Sequence, residues 1–235
     1  MPELPEVQTV VNGIKSKLIR LKIKDTEVFV KKLRYPIPLN LKNKINKSSI
    51  LDVSRRAKYI ILGLSNDYSI IIHLGMSGRI IIGKKKEIKS IKHTHFQLYF
   101  SNDLVLQFID PRRFGCLLLR KTSKLPDEKL LKHLGVEPLD KSFNKNYLHK
   151  IARNKSSPIK SIIMNQKYVV GVGNIYASES LHLSKIKPFK LGNKLTMSES
   201  NRLVSSIKSV LKQSIQMGGS SINDHTMISG KLGHY

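Results

Sequence analysis

Residues 59–82 read YIILGLSNDYSIIIHLGMSGRIII, and this stretch decides the fold class. It holds three short runs of β-branched and aromatic residues, Tyr59–Leu64, Ser69–Leu74 and Arg79–Ile82, which are separated by Asn66-Asp67 and by Gly75–Gly78. Short runs of this kind that are bounded by turn residues predict consecutive strands of an antiparallel sheet.

The alternation of strand and turn extends on both sides of this stretch. Further runs are Ile50–Val53, His95–Phe100, Val105–Ile109 and Cys116–Leu119. Many short strands at such spacing favour a β-sandwich or a barrel. A helix over residues 5–18 is predicted before them, because apolar residues recur there at helical spacing. These residues are Val7, Val10, Val11, Ile14 and Leu18.

After Pro126 the pattern changes to that of helices. They are predicted over residues 127–133, 144–153, 158–165, 174–184 and 198–216. We therefore expect an α+β fold, with an N-terminal helix plus an antiparallel β-sandwich in residues 1–130 and an all-helical domain in residues 131–235.

Composition points to a polyanionic partner. The chain has 42 Lys+Arg against 16 Asp+Glu, a formal net charge of +26. A field of that sign attracts polyanions, of which nucleic acid is the commonest. A lysine-rich coding bias is the alternative, but it does not explain so few acids. An anionic membrane surface is disfavoured, because we find no long basic amphipathic helix with aromatic anchors.

Apolar runs and cysteine usage narrow the class further. The longest apolar runs, such as Ile70–Ile72, are far too short to span a bilayer. The N-terminus carries two glutamates and no apolar core of a signal peptide. Cys116 is the single cysteine, so an internal disulfide framework and a Cys₂ or Cys₄ zinc site are excluded. We expect a soluble intracellular protein.

The first residues, Met1-Pro2-Glu3-Leu4-Pro5-Glu6-Val7, carry a pattern that suggests covalent catalysis. Removal of Met1 would leave Pro2 with a free secondary amine, which can attack an electrophilic sugar carbon and form an iminium. Glu3, the next residue, could protonate a leaving group. The alternative is that Pro5 and Glu6 merely open a helix, which does not account for Pro2 and Glu3.

Two segments at strand ends are candidates for DNA contact. Arg55-Arg56-Ala57-Lys58-Tyr59 groups three cations that can grip phosphates, and a lysine there can shuttle protons. A solvated basic strand end is the alternative. His73-Leu74-Gly75-Met76-Ser77-Gly78 runs from a strand into a glycine-bracketed turn that presents Met76. Proteins that bend DNA insert such apolar side chains between base steps, although methionine more often packs in a core.

Three other segments extend this set. In Asp110–Gly115, Phe114 could stack on a base while Arg112 fills the space of an extruded nucleotide. In Val170–Ala177, a glycine turn opens a helix whose amides could bind phosphate, with Asn174 as the N-cap. An ordinary interhelical turn is the alternative there. His93-Thr94-His95 is expected to put two imidazoles on one strand face. The single cysteine and the lack of an acidic partner disfavour metal binding there. We therefore expect these histidines to contact phosphate or to have a structural role in the strand.

Together these segments closely resemble the formamidopyrimidine-DNA glycosylase family, bacterial enzymes that remove oxidised purines. The resemblance is collinear and covers essentially the whole chain. It rests on PELPEV at 2–7, RRAKY at 55–59, HLGMSG at 73–78, DPRRFG at 110–115, HLGVEPL at 133–139 and VVGVGNIYASE at 169–179. The resemblance implies a helix–two-turns–helix DNA-binding domain after the β-sandwich.

The resemblance also implies roles for individual residues. The implied catalytic residues are the nucleophile Pro2, the proton donor Glu3, Lys58, which assists β-elimination, and the supporting carboxylate Glu6. The residues implied to enter the duplex are Met76, Arg112 and Phe114. The residues implied to hold DNA are His93, Arg112, Lys155 and Asn174, with Lys160 near the damaged base. The segment Gly218–Ser229 resembles the loop that closes over the flipped base.

The chain departs from the family pattern at its C-terminal end. Family members normally continue into a zinc ribbon with two CxxC pairs, which carries an arginine used in DNA binding and δ-elimination. This chain stops at Gly233-His234-Tyr235, without cysteines for a ribbon. We therefore expect no zinc or other cofactor, no metal site, and weaker binding to the duplex.

The leading functional hypothesis is a bifunctional DNA glycosylase and abasic-site lyase for base-excision repair of oxidised purines such as 8-oxoguanine and formamidopyrimidines. Its expected partner is double-stranded DNA containing oxidised purines or abasic sites, with no membrane. We expect a monomer in the bacterial cytoplasm, associated with the nucleoid. One alternative is a catalytically impaired protein that only binds damaged DNA. Another is a basic RNA-binding or ribosome-binding module, which does not explain the Pro2–Glu3 pair.

Overall fold

The computed structural model describes residues 2–89 and 91–219, which form an N-terminal part with helices and antiparallel strands and a helical part. The N-terminal part contains α1 (Leu4–Leu18), β1 (Ile23–Val28), α2 (Leu41–Ile45), β2 (Ile50–Arg56), β3 (Tyr59–Leu64), β4 (Tyr68–His73), β5 (Arg79–Lys84), β6 (Thr94–Phe100), β7 (Leu104–Ile109) and β8 (Cys116–Lys121). The helical part contains α3 (Lys145–Ala152), α4 (Ile159–Met164), α5 (Asn174–Leu183) and α6 (Met197–Gln216).

The eight strands form two antiparallel sheets that pack as a sandwich. One sheet has the order β1-β6-β7-β5 and the other the order β2-β3-β4-β8. Side chains of both sheets share one core, for example Ile60 and Ile72 from one sheet with Phe96 and Phe108 from the other. Burial alternates along β3, as expected of a strand with one face on a core.

Helix α1 joins the two parts of the molecule. Its residues from Val7 to Leu18 pack into the core of the sandwich. Leu4, at its first turn, packs instead into the helical core that α3 to α6 share. The N-terminal segment is therefore buried at the junction of two cores, which the apolar spacing of residues 5–18 alone does not show.

The structure confirms the expected fold class, and it differs from the predicted elements in three places. Strand β1 and helix α2 were not predicted. In β1 only Ile23 and Thr26 are buried, so the strand lacks the apolar run that marks the others.

The predicted helix over residues 127–133 is wrong. The segment forms hydrogen-bonded turns, in which the amides of Leu131 and Lys132 both donate to the carbonyl of Glu128. The Glu128 carboxylate accepts from the Arg120 guanidinium and from the amide of Leu130. Leu131 packs beside Cys116 and Leu118 on the outer side of the sheet. These tertiary contacts replace the helical hydrogen bonds that the local sequence favours.

The ion-paired carboxylate of Glu137 ties the β2–β3 turn to the segment that leads into the helical part. Its Oε1 accepts from the amide of Ala57 at 2.7 Å and from Nη1 of Arg56 at 2.9 Å. Its Oε2 lies 2.7 Å from Nη1 of Arg55 without the angle of a hydrogen bond. Arg56 also donates to the carbonyls of Leu134 and Gly135. Arg55 and Arg56 therefore form an internal linkage, and the expectation that they grip phosphates is wrong.

None of the helices within residues 2–89 and 91–219 has the length and apolar character needed to cross a membrane.

The Glu137 linkage predicts a large loss of stability on substitution. Glu137→Leu leaves the Arg55 guanidinium, whose side chain is 9% exposed, without its buried counter-charge. Such removal of one partner typically costs about 3–5 kcal/mol. The control is Asp52→Leu, because Asp52 forms an exposed pair with Lys15 at 4.0 Å, in which each side chain is 59% exposed. That change should cost below about 1 kcal/mol. Urea unfolding at pH 7 measures both, and equal losses would contradict the linkage.

Candidate functional site

The turns that carry the sequence motifs meet at one end of the sandwich. In the antiparallel register Arg56 pairs with Tyr59, Tyr59 with His73, and His73 with Cys116. In the other sheet Ile109 pairs with both Arg79 and Thr94. The β2–β3, β4–β5 and β7–β8 turns and the start of β6 therefore lie together. This end brings together Lys58, Met76, His93, Arg112 and Phe114.

Exposed acidic residues are distributed unequally between the two ends of the sandwich. The exposed acids Asp67, Glu87 and Asp103 lie in turns or strand extensions at the opposite end of the sandwich. Among residues 57–58, 74–78 and 110–115, the one acid is Asp110, and it is fully buried. The end of the sandwich that carries Met76, Arg112 and Phe114 therefore has no exposed carboxylate in those turns. This favours an anionic partner at that end.

The Glu3 carboxylate caps helix α5 across the junction. Glu3 is 3% exposed, and its oxygens accept from the amides of Gly173 at 2.7 Å and Ile175 at 2.9 Å. These are amides that the helix itself leaves unsatisfied. A Cβ at Gly173 would lie 2.5 Å from Glu3 Oε1, so this close approach requires glycine. The expectation that these amides bind phosphate is therefore wrong, and the N-cap is Gly173 and not Asn174.

Glu6 holds the backbone of Glu3 from the other side. Its Oε2 accepts from the amide of Glu3 at 2.8 Å, and its Oε1 accepts from the hydroxyl of Tyr176. The same hydroxyl lies 2.6 Å from Oγ of Ser214 on α6. Pro2, also buried, precedes a residue whose backbone and side chain are both fixed. Sequence reasoning missed Tyr176, although it lies inside the GNIYA segment.

Lys58 is buried beside these two carboxylates. It follows Ala57, whose φ of +53° makes the tight β2–β3 turn, and it is 7% exposed. Burial lowers the pKa of Lys58, and the charges of Glu3 and Glu6 oppose that shift. Burial likewise raises the pKa of Glu3, against its backbone hydrogen bonds and the charge of Lys58. The site therefore favours a neutral amine and a protonated acid more than water does.

Two adjacent turns present Met76, Arg112 and Phe114 to solvent. Met76 is 38% exposed and Phe114 46% exposed, while the Arg112 guanidinium lies 4.8 Å from the Phe114 ring centroid. Asp110 joins the turns, because its carboxylate accepts from Ser77 Oγ at 2.5 Å and from the amide of Gly115 at 2.8 Å. The apolar side chain of Met76 and the aromatic side chain of Phe114 therefore project from two turns that Asp110 joins by hydrogen bonds.

His93 and His95 do not share a strand face, contrary to expectation. His93 lies before β6 with a φ of +69° and is exposed. His95 is 1% exposed, and its Nε2 lies 2.6 Å from the carbonyl of Asp110. The left-handed conformation at His93 breaks the alternation that strand periodicity assumes.

The predicted residues of the helical part lie around the helix junctions. Lys155 follows α3, and its Nζ lies 4.7 Å from the Tyr168 ring centroid, beside a groove of about 420 Å³. Lys160 donates to Ser178 Oγ at 2.9 Å, and that hydroxyl donates to the carbonyl of Asn174. Asn174 is exposed in the first turn of α5. Of the predicted loop Gly218–Ser229, residues 220–229 lie outside the described residues.

The described residues do not fit a zinc site. Cys116 lies in β8 at 2% exposure, and burial raises its pKa to about 11, so its thiolate is disfavoured. In the described part of the chain, no three His, Cys, Asp or Glu side chains are grouped so that they could hold a metal ion.

The chain is similar to known proteins along its whole length. The profile of the formamidopyrimidine-DNA glycosylase N-terminal domain matches residues 1–117, and that of the family's H2TH domain matches residues 134–226. Formamidopyrimidine-DNA glycosylases of Rickettsia felis and Legionella pneumophila are each 44% identical over 235 residues, which is all of this chain and 84% and 85% of those proteins.

Solved structures agree with these relatives. The Lactococcus lactis Fpg in complex with DNA containing an abasic site has a TM-score of 0.89 at 32% identity, over 99% of this chain and 84% of that one. The L. lactis protein bound to DNA with an N7-benzyl-Fapy-dG also has a TM-score of 0.89, at 33% identity over 98% and 85% of the two chains. The chain therefore belongs to the formamidopyrimidine-DNA glycosylase family.

Proposed function

We propose that the chain excises oxidised purines from double-stranded DNA and then cleaves the abasic site with the Pro2 amine as nucleophile. The observation that carries this proposal is the buried cluster of Glu3, Glu6 and Lys58 beside Pro2, next to the turns that bear Met76 and Phe114. Formamidopyrimidine-DNA glycosylases of which this chain covers 84% or 85%, and solved complexes of a relative with damaged DNA, support this proposal. In this proposal the protein acts as a monomer in the bacterial cytoplasm, where it associates with the nucleoid.

The Glu3–Pro2 pair supports the first chemical step. With Met1 removed, the Pro2 nitrogen attacks C1′, and the base leaves with the glycosidic electron pair and takes up a proton. Burial favours the protonated form of Glu3, because it raises the pKa of that acid. Glu3 therefore donates the proton that the leaving base or ring oxygen needs.

Lys58 supports the second step. Opening of the sugar ring breaks the C1′–O4′ bond, O4′ takes up a proton, and an iminium is left between C1′ and the Pro2 nitrogen. This iminium acidifies the C2′ proton, and loss of that proton to a base expels the 3′ phosphate by β-elimination. Burial lowers the pKa of Lys58, so a larger share of its amine is neutral and able to accept a proton.

The exposed residues supply binding to the duplex. Met76, Arg112 and Phe114 enter the space that a flipped nucleotide leaves, since an apolar tip and an aromatic tip project there together. His93, Arg112, Lys155 and Asn174 hold the phosphates. Lys160, which donates a hydrogen bond to Ser178 of α5, lies near the damaged base.

Borohydride trapping on duplex DNA with 8-oxoguanine opposite cytosine tests the chemistry. The expected result is a covalent protein–DNA adduct. Glu3→Gln should slow base release by about 10²–10⁴-fold, because it removes the proton donor, while acting much less on a pre-made abasic site. The control is Glu27→Gln, an exposed glutamate on β1. Intact binding without any adduct would instead support a protein that only recognises damage. Equal losses on both substrates would contradict the role given to Glu3.

The state of Lys58 can be read from stability against pH. Because burial lowers its pKa from 10.5, the unfolded chain binds more protons than the folded chain between the two pKa values. The wild type therefore gains stability as the pH rises through that window. The Lys58→Met variant lacks this titration. Its gain in unfolding free energy over the wild type, measured with urea, should therefore be largest near pH 7 and shrink towards pH ~10.5. Exposed Lys86→Met is the control, and a constant advantage would contradict the buried amine.

We propose further that residues 1–235 act without zinc, since this stretch holds one cysteine and no CxxC pair. A protein of these 235 residues should contain far less than one zinc per chain, and chelators should change neither its unfolding nor its activity. Because Lys58 supports loss of the C2′ proton, the main 3′ product that these 235 residues form, seen on a denaturing gel, should be the unsaturated aldehyde of β-elimination. Stoichiometric zinc, or mainly 3′-phosphate ends, would contradict these statements in turn.

A further inference from the structure

The imidazole of His73 lies between the Lys58 turn and the Met76 turn. His73 is the last residue of β4, with Tyr59 of β3 on one side and Cys116 of β8 on the other. Its ring centroid is 4.8 Å from that of Tyr59, the residue after Lys58. The ring therefore packs on the hairpin that carries the buried lysine.

The other side of the same ring fixes the β4–β5 turn. Nδ1 of His73 accepts from the amide of Gly75 at 2.9 Å. Gly75 has a φ of +66°, and a Cβ there would lie 2.5 Å from the amide nitrogen of Gly115. The turn that presents Met76 thus packs backbone to backbone on the turn that presents Phe114. The His73–Gly75 hydrogen bond holds the glycine in the conformation that allows this contact.

The surroundings keep this acceptor available. Burial and the charges of Lys58 and Arg34 lower the pKa of His73 to about 4. At neutral pH the ring is therefore uncharged, and the Gly75 amide assigns the lone pair to Nδ1 and the proton to Nε2. A protonated ring would have no acceptor for Gly75.

We propose that His73 is a positioning residue whose Nδ1 lone pair sets the Met76 turn against the Phe114 turn and joins both to the Lys58 hairpin. The proposal rests on the proposed entry of Met76 into the duplex. It differs from a purely packing role, in which the volume of the ring would matter and its lone pair would not.

Three substitutions separate the lone pair from the volume. His73→Asn keeps an acceptor near the position of Nδ1 but loses much of the ring. His73→Leu keeps apolar volume without an acceptor, and His73→Gln moves the acceptor further from the backbone. If the lone pair positions the turn, the Asn variant should insert Met76 into the duplex nearly as fast as the wild type, whereas the Leu and Gln variants should insert it slowly. If packing positions the turn, the Leu variant should insert it fastest of the three.

The readout is insertion into a duplex in which 2-aminopurine neighbours a stable abasic analogue. Leu and Gln should slow the fluorescence change about tenfold, the size expected for one lost hydrogen bond to a buried amide. Asn should stay within about threefold of wild type for the same reason. The same order should appear in kcat for base release, with KM little changed. Thermal unfolding of each variant shows whether a substitution merely unfolds the protein. If His73→Leu does so, the comparison of His73→Asn with His73→Gln still tests the position of the acceptor.

Met76→Ala in the same assay separates this inference from the proposed function. If Met76→Ala removes the signal while all three His73 variants keep it, only the role of His73 is overturned. If Met76→Ala leaves the signal intact, the entry of Met76 is wrong, and the role of His73 falls with it. Equal losses in Asn, Gln and Leu would also overturn the proposal, because the lone pair would then not be what acts.

Discussion

The structure depends on one buried carboxylate at the start of a helix. Glu3 accepts hydrogen bonds from the amides of Gly173 and Ile175, and thereby joins residue 3 to a helix that lies some 170 positions later in the chain. Its neighbour Leu4 donates to the carbonyl of Gly171 at 3.0 Å and packs in the helical core. The partial positive charge of the helix start stabilises the carboxylate that the fold buries there. The position of Pro2 follows from this contact.

Burial of that carboxylate has a consequence for chemistry. Glu3 and Lys58 attract each other, yet the pKa of each moves in the direction that burial imposes and not in the direction that the partner imposes. An acid that releases its proton less readily than usual and an amine that releases its proton more readily than usual are suited to opposite steps of one reaction. The helix cap and the acid–base pair are therefore the same structural feature. A change that exposed this junction would weaken both.

The sequence predicts the sandwich well, because its strands combine β-branched residues with turn residues at their ends. The bounds of Tyr59–Leu64 agree with β3 on both sides, and the motifs fall at strand ends as expected. The contacts that the sequence could not show are those between distant segments. No local pattern distinguishes Arg55 and Arg56, which Glu137 neutralises, from free phosphate-binding cations. The left-handed conformation of His93 is equally invisible to periodicity.

The central claim is that the Pro2 nitrogen is the atom that bonds to the sugar. The direct measurement is digestion of the borohydride-trapped complex, followed by mass spectrometry of the peptide that carries the nucleotide. We expect the modified peptide to begin at Pro2, to lack Met1 and to bear the deoxyribose on its α-nitrogen. A modified peptide containing Lys58, or any other lysine in place of Pro2, would contradict it.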